Sequence, residues 1–342
     1  MTQFMLLLVT VASTWFLIKG ADLLVDGAAG LADRLGIPKV IVGATIVSLG
    51  TTSPEAAVSV MAAWEGHSGL ALGNAVGSIV ADTGLIFGLG CVLTVLPADR
   101  FVLRRQGWVK IATGLILAAG CYGLWALQGN AAAIQQPAGF VLLLLLAAYL
   151  YVSVTWARQH PEPYASAETT EPASGPSHER STAVLTGLMA GGLLLVVLSS
   201  RFLIGSASEL AVRWGLSQVV IAATLVAVGT SLPELVVGMT AIIRGHKELL
   251  VGNVIGADIL NVLFVIGASA AATDLPIIDP AARIPQIFLY LHLPFMIAMM
   301  LLFLGYILVA VRTGHFRRWM GVPLLVLYAL YIVLLLALGQ AA

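Results

Sequence analysis

The sequence predicts an all-α polytopic membrane protein of ten transmembrane helices, built as two inverted five-helix repeats. Three observations predict it: apolar segments of membrane-spanning length, one polar stretch at the middle of the chain, and two copies of an unusual Pro-Glu motif. Of the 342 residues, 59% are hydrophobic and 10% charged, against roughly 25% charged in an ordinary soluble domain. A soluble core has no use for so much apolar surface. Windows of about 20 residues with few or no charges recur along the chain, enough at about 1.5 Å per residue to cross roughly 30 Å of hydrocarbon.

In chain order, spans are expected near residues 4–31, 38–64, 69–97, 108–127, 137–156, 184–211, 218–243, 249–273, 287–311 and 320–339. The N-terminus is apolar almost from Met1 and lacks a short apolar core ahead of a small-residue cleavage site, so the first segment reads as a retained span. The stretch 157–183 is rich in Pro, Glu, Ser and Thr and reads as a disordered linker between two five-span halves, 1–156 and 184–342. Cys91 and Cys121 sit in apolar segments without metal-ligand spacing and read as packing thiols.

Formal net charge is zero, so no overall basic field points to nucleic acid, and the charges are informative by position. With the N-terminus outside, the inner side carries Arg34, Lys39, Arg100, Arg104, Arg105, Lys110, Arg158, Arg180, Arg244, Lys247, Arg312, Arg317 and Arg318, while the outer side carries Arg213 and Arg283. Basic residues gather on the cytoplasmic side of short loops. Both termini are therefore expected outside and the linker in the cytoplasm, in a prokaryotic-type inner membrane.

The two halves repeat. Gly-Ala-Thr-Ile-Val-Ser-Leu-Gly-Thr-Thr-Ser-Pro-Glu, ending at Glu55, matches Ala-Ala-Thr-Leu-Val-Ala-Val-Gly-Thr-Ser-Leu-Pro-Glu, ending at Glu234, at an offset of 179 residues. The same offset pairs Arg34 and Gly36 with Arg213 and Gly215, Gly66-His67 with Gly245-His246, and Gly73-Asn74-Ala75-Val76-Gly77 with Gly252-Asn253-Val254-Ile255-Gly256. An odd number of spans per half forces the second copy to cross in the opposite sense, the inverted-repeat plan of secondary transporters.

Within the second and seventh spans, Pro54 and Pro233 each remove an N–H and disturb carbonyls one turn earlier, near Ser48 to Thr51 and Ala227 to Thr230. Both helices are expected to break there. Freed carbonyls in hydrocarbon need protein, water or an ion, and hard cations favour such oxygens. Thr52 or Ser53 and Ser231 would cap new half-helices, with Glu55 and Glu234 in their first turns, where the helix dipole favours a carboxylate. In the third and eighth spans, a spacing of four puts Ser78 with Asp82, and Ala257 with Asn261, on matching helix faces. Small residues at Gly73, Gly77, Gly84, Gly88, Gly252, Gly256 and Gly267 are expected to allow close helix approach. The core is then four helices around three carboxylates and an amide.

The paired Gly-Thr-x-x-Pro-Glu and Gly-Asn-x-x-Gly stretches resemble the alpha repeats of the sodium/calcium exchanger family of the cation/Ca2+ antiporter superfamily, and the ten-span plan extends the resemblance over nearly the whole chain. The resemblance implies a central cluster of cation sites that spans one and six expose alternately to each side. By position it implies ligands at Thr51, Glu55, Ser78 and Asp82 from the first repeat and Thr230, Ser231, Glu234 and Asn261 from the second, with backbone carbonyls at Ser48 and Ala227. Two departures stand out. Where relatives often carry Gly-Ser-Asn, the second copy reads Gly256-Ala257-Asp258 and loses a hydroxyl, which would weaken one Na+ position; and the acid that many relatives carry in the second repeat is in the first, as Asp82. Asp258 is read as making a polar contact outside the site in preference to serving as a fourth site carboxylate.

Three ionised carboxylates would be neutralised by three Na+ and left at one negative charge by one Ca2+, so competition for shared acids gives the simplest coupling. The expected activity is exchange of Na+ for Ca2+ by alternating access, with no cofactor, the bilayer as surroundings and no obligatory protein partner evident. The alternative is an H+-coupled antiporter of Ca2+ or another divalent cation. A cation channel fits broken helices in an inverted repeat less well, and a hydrolase would need a nucleophile and base that the symmetric site lacks. Asp82-Thr83-Gly84 spells a protease triplet without a second copy. His67 and His246 read as turn packing, Lys19, Asp22, Asp26, Arg201 and Glu209 as side chains snorkelling to an interface in preference to a gating ion pair, and Arg104, Arg105 and Lys110 as charges that fix orientation.

Overall fold

The computed structural model describes residues 2–159, 180–214, 227–279 and 284–341. Residues 160–179 of the expected linker, 218–226 of the expected seventh span and Arg283 lie outside the described residues. Helix α1 is Gln3–Leu35. Helix α2 runs without interruption through Lys39–Val42, a wide π-type turn at Gly43–Val47, and Ser48–Trp64. Then come α3 (Ser68–Leu93), α4 (Arg100–Ala131), α5 (Gln136–Gln159), α6 (Thr182–Arg213), α7 in two pieces (Ala227–Thr230 and Leu232–Ile243), α8 (Lys247–Ala272), α9 (Phe288–Thr313) and α10 (Arg318–Leu338). Among the described residues, eight of these are long and apolar enough to cross a membrane; α2 is not among them, and the Leu232–Ile243 piece of α7 is apolar but shorter.

The helix ends follow from local chemistry. Thr2 and Ser181 accept from the backbone N–H of Met5 and Val184 to cap α1 and α6. Gly66 and Gly245, at φ +84° and +81°, end α2 and α7 in left-handed turns. In both, the following His N–H returns to a carbonyl five residues back, His67 to Ala62 and His246 to Ala241, each at 2.8 Å. This is the hydrogen bonding of a glycine C-cap, and it gives the recurrent Gly-His pair its role as turn chemistry. The offset of 179 also relates two π-type turns, Asp82–Phe87 in α3 and Asn261–Ile266 in α8.

The halves are tied by exchange of short strands. Strand β1 (Leu96–Pro97) pairs antiparallel with β4 (His315–Phe316), and β2 (Ala133–Ile134) with β3 (Leu275–Pro276). Helix α4 connects the β1 end of the bundle to the β2 end, so the pairings lie at opposite ends. Basic residues gather at the β1–β4 end: Arg100 donates to the Arg312 carbonyl at 3.0 Å, Arg318 to the Leu93 carbonyl, and Arg34 to the Arg180 carbonyl at 2.9 Å. At the other end Asp274 and Asp279 accept from the backbone N–H groups of Gln136 and Gly69.

Helices α1 and α6 pack antiparallel along their lengths, since Thr10 meets Ser206 at 2.9 Å and Arg34 meets Thr182 at 2.8 Å. A Cβ on Gly27 would lie 2.6 Å from the Met189 N, and one on Gly192 2.4 Å from the Leu24 N, so the absence of side chains sets the approach. A larger apolar core joins α3, α4, α5, α8, α9 and α10. Outward faces are apolar, as Phe4, Leu8, Val11 and Trp15 on α1 illustrate, which suits hydrocarbon surroundings.

Two expectations are corrected. Pro54 does not break its helix: it lies inside Ser48–Trp64, and Glu55 is a mid-helix residue. The wide turn at Gly43–Val47 lies upstream, where the Ser48 hydroxyl donates to the Gly43 carbonyl at 2.7 Å and satisfies an oxygen that the turn leaves available. The break expected at Pro233 is present, with Ser231 in a turn, Pro233 at the start of Leu232–Ile243 and Glu234 in its first turn. Nor do all the small residues serve helix packing. A Cβ on Gly252 would come within 2.0 Å of the Val40 carbonyl oxygen and one on Gly256 within 2.3 Å of that of Ala44, whereas Gly73 and Gly77 meet nothing nearer than 3.5 Å among the described residues.

Candidate cation site

The close approach of α8 to α2 brings the polar residues of four helices together. From α2, Glu55 is 2% exposed; Asp82 on α3, Glu234 on α7 and Asn261 on α8 are 1%, 1% and 0% exposed. The Ser78 hydroxyl donates to Glu55 Oε1 at 2.7 Å, and the Ser231 hydroxyl reaches the same oxygen at 3.5 Å. Ser231 thus precedes the second piece of α7 without capping it by its side chain and turns its hydroxyl to the acid of the opposite half. The Asn74 amide donates to Ser59 Oγ at 2.9 Å and to the Glu55 carbonyl at 3.4 Å, steadying α2 against α3.

Several expected ligands are placed differently from one another. Thr51 is buried in the same turn, and its hydroxyl donates to the Ser48 carbonyl at 3.3 Å, so that carbonyl is shared within the helix. The Ser48 hydroxyl itself points to Gly43 and to the Asn253 carbonyl at 3.0 Å. Thr230 is half-buried and, with Ser78, Asn74 and His292, lines a cavity of about 250 Å³ that reaches the cluster. Ala227 opens the first piece of α7. Ala257, the repeat counterpart of Ser78, is wholly buried and has no hydroxyl to offer; the hydroxyls beside Glu234 are instead those of Thr51 and Thr52.

Six side-chain oxygens in this cluster are buried without a protein hydrogen-bond partner among the described residues: Glu55 Oε2, Asp82 Oδ1 and Oδ2, Glu234 Oε1 and Oε2, and Asn261 Oδ1. Buried polar groups in native proteins are nearly always paired, and unpaired carboxylates are the most expensive exceptions. Glu55 is repelled by Glu234, and Asp82 by Asp258, Glu234 and Glu55. Such a set can complete its bonding by taking up cations or protons. Among the described residues no three His, Cys, Asp or Glu side chains converge closely enough to hold one metal by themselves; the set is a mixture of carboxylate, amide, hydroxyl and carbonyl oxygens, which suits hard cations held reversibly.

One member was not foreseen. Lys110, read from the sequence as an orienting charge at the inner surface, is fully buried within α4. Its ammonium lies 2.8 Å from Asp258 Oδ2 and 2.9 Å from Thr83 Oγ1, and Thr83 donates to the same Asp258 oxygen at 2.7 Å. The polar contact of Asp258 is therefore an ion pair between α8 and α4. Helix α4 starts at Arg100, eight residues before the expected span, which places Lys110 ten residues in and too deep for the interface. Asp22 and Asp26 both face Arg244 beyond α7, at 2.8 and 3.7 Å, in partly exposed pairs.

Comparison with known proteins places the fold. The family model for the sodium/calcium exchanger protein matches residues 5–155 and 184–337. The chain is 31% identical over 309 residues to the putative antiporter CaxA of Alkalimonas amylolytica, covering 88% of each. It is 28% identical over 348 residues to the sodium/calcium exchanger MaX1 of Methanosarcina acetivorans, covering 94% of this chain and 95% of the relative. Its structure superposes on the sodium-calcium exchanger NCX_Mj soaked with Na+ and Sr2+ with a TM-score of 0.77 and 26% identity, over 97% of this chain and 99% of the other.

Proposed function

This chain belongs to the sodium/calcium exchanger family, and from that membership we propose that it exchanges Na+ for Ca2+ across the membrane by alternating access. It is a membrane antiporter of the cation/Ca2+ class and a transporter, not an enzyme. The observation that carries the finer reading is the set of six buried oxygens on Glu55, Asp82, Glu234 and Asn261 without a hydrogen-bond partner among the described residues. Ca2+ takes six to eight oxygens at about 2.3–2.6 Å, and we draw its ligands, and those of Na+, from this set together with Ser78, Ser231, Thr51, Thr230 and the carbonyls of Ser48 and Ala227. Three Na+ match the charge of the three acids; one Ca2+ leaves one negative charge. Competition for shared carboxylates then couples the two fluxes.

The architecture we assign is two inverted five-helix repeats, 1–156 and 184–342, joined by the linker 157–183. It is supported by the odd span count per half, by the repeat-related π-type turns and by the reciprocal strand pairing at opposite ends. The basic β1–β4 end is assigned to the cytoplasm of an inner membrane, with both termini outside.

Ca2+ uptake into proteoliposomes preloaded with Na+, compared with equal K+ and with an imposed pH gradient, tests the reading in wild type and Glu55→Gln. Uptake that requires internal Na+ and is lost in the variant is the expected result. Uptake driven only by the pH gradient would make the protein an H+-coupled antiporter, and uptake indifferent to both gradients and to the substitution would refute the mechanism.

A further inference from the structure

Among the described residues, Lys110–Asp258 is the one ion pair with both side chains fully buried, and the exchange reading gives it no task. Desolvating an ammonium costs several kcal/mol, so its place in the bundle needs a reason. The pair joins α4 to α8 beside Thr83, the residue that follows Asp82. Around the nitrogen stand a carboxylate oxygen at 2.8 Å, a hydroxyl oxygen at 2.9 Å and the face of the Phe303 ring, whose centroid is 3.7 Å away. That is the surrounding a partly dehydrated monovalent cation would favour. Asp258 Oδ1 has no partner among the described residues, like the oxygens of Asp82, and Asp258 is held by Thr83, the chain neighbour of Asp82. The charge of the pair is therefore felt by the cluster.

We propose that Lys110 is a tethered cation: its ammonium permanently fills a monovalent-cation position at the Asp82 end of the site and thereby sets how many ions the exchanger takes. The inference rests on the exchange reading above. Glu55, Asp82, Glu234 and Asp258 together carry four negative charges, and Lys110 reduces them to three, the number that three Na+ neutralise. Without it a fourth monovalent cation would be drawn in. The device is present once: at the offset of 179 residues, Asp258 corresponds to Ile79 and Thr83 to Val262, both buried and apolar. It sits where the second repeat has lost its hydroxyl, next to Ala257, so the copy that lost a neutral ligand is the copy that gained a charge pair.

Calorimetric Ca2+ binding to the purified full chain, with Na+ competition, tests this through the sign of the response. Lys110→Met leaves Asp258 uncompensated, and we expect Ca2+ to bind roughly tenfold tighter and Na+ competition to steepen by about one Hill unit. Asp258→Asn leaves the ammonium uncompensated, and Ca2+ should bind roughly tenfold more weakly. The double variant should fall between the two. Where Lys110→Met fails to fold, Lys110→Gln, whose amide can still bond Asp258 and Thr83 without the charge, carries the same expectation. Binding weakened by both single changes, or moved by neither, would make the pair a structural strut and overturn the inference while leaving the exchange reading intact. Wild type that binds no Ca2+ would overturn the exchange reading itself.

Discussion

Asp82 and Asn261 occupy equivalent positions, each at the start of a π-type turn and each without a side-chain partner among the described residues. One is an acid and the other an amide of the same shape, so the pair separates charge from geometry. Asp82→Asn should lower Ca2+ affinity by at least roughly tenfold, about 1.4 kcal/mol. Asp82→Asn combined with Asn261→Asp restores the charge on the opposite half and should recover much of the binding with a changed preference between Na+ and Ca2+, measurable by calorimetry with each ion. By contrast, the Arg244–Asp22 pair is partly exposed. Asp22→Asn is expected to change stability by less than about 1 kcal/mol, as partly solvated pairs do, checked by thermal unfolding in detergent.

At the scale of single helices, α2 and α7 show how one motif gives two shapes. Both carry Thr-x-x-Pro-Glu, yet α2 continues through Pro54 while α7 restarts after Ser231. Proline removes one N–H and crowds the carbonyl four residues back, for Pro54 that of Gly50, and α2 nonetheless stays helical across it. In α2 the wide turn at Gly43–Val47 is held by Ser48 and by the Tyr149 hydroxyl on the Ala44 carbonyl at 3.1 Å. Tyr149→Phe should therefore weaken this turn and lower thermal stability by roughly 1 kcal/mol, the usual worth of one buried hydrogen bond. The contact of α8 with α2 is more demanding. Gly252→Ala puts a Cβ against the Val40 carbonyl and should destabilise by roughly 1–3 kcal/mol, whereas Gly120→Ala, with open space around it, should be neutral or mildly stabilising. Melting curves of the two variants side by side decide it.

For the whole molecule, the two strand pairings and the clustering of arginine at one end give the bundle an orientation that can be read by labelling. Cys91 and Cys121 are buried and should give little background with a membrane-impermeant maleimide. Arg317→Cys, at the β1–β4 end, should react only from the cytoplasmic side, and Asn130→Cys, near β2, only from outside. The reverse pattern would invert the topology and with it the direction in which the site loads.

The all-helical plan, the repeat and the acids of the cluster were legible in the sequence because each rests on something local. Span length follows from hydropathy, the turns at Gly66 and Gly245 from glycine's freedom at positive φ, and the candidacy of Glu55, Glu234 and Asp82 from the cost of an acid in hydrocarbon. What the tertiary structure alone decided depends on partners distant in the chain. Lys110 looked like one more member of a basic loop, since its charge becomes intelligible only beside Asp258, which is 148 residues further on. Pro54 and Pro233 looked alike because they share one local motif, and only the folded chain shows α2 continuing through Pro54 while α7 restarts after Ser231. Propensity and hydropathy act over a few residues, so they locate charges and breaks along the chain; only the folded bundle, where solvent is excluded, decides which of those charges must find each other.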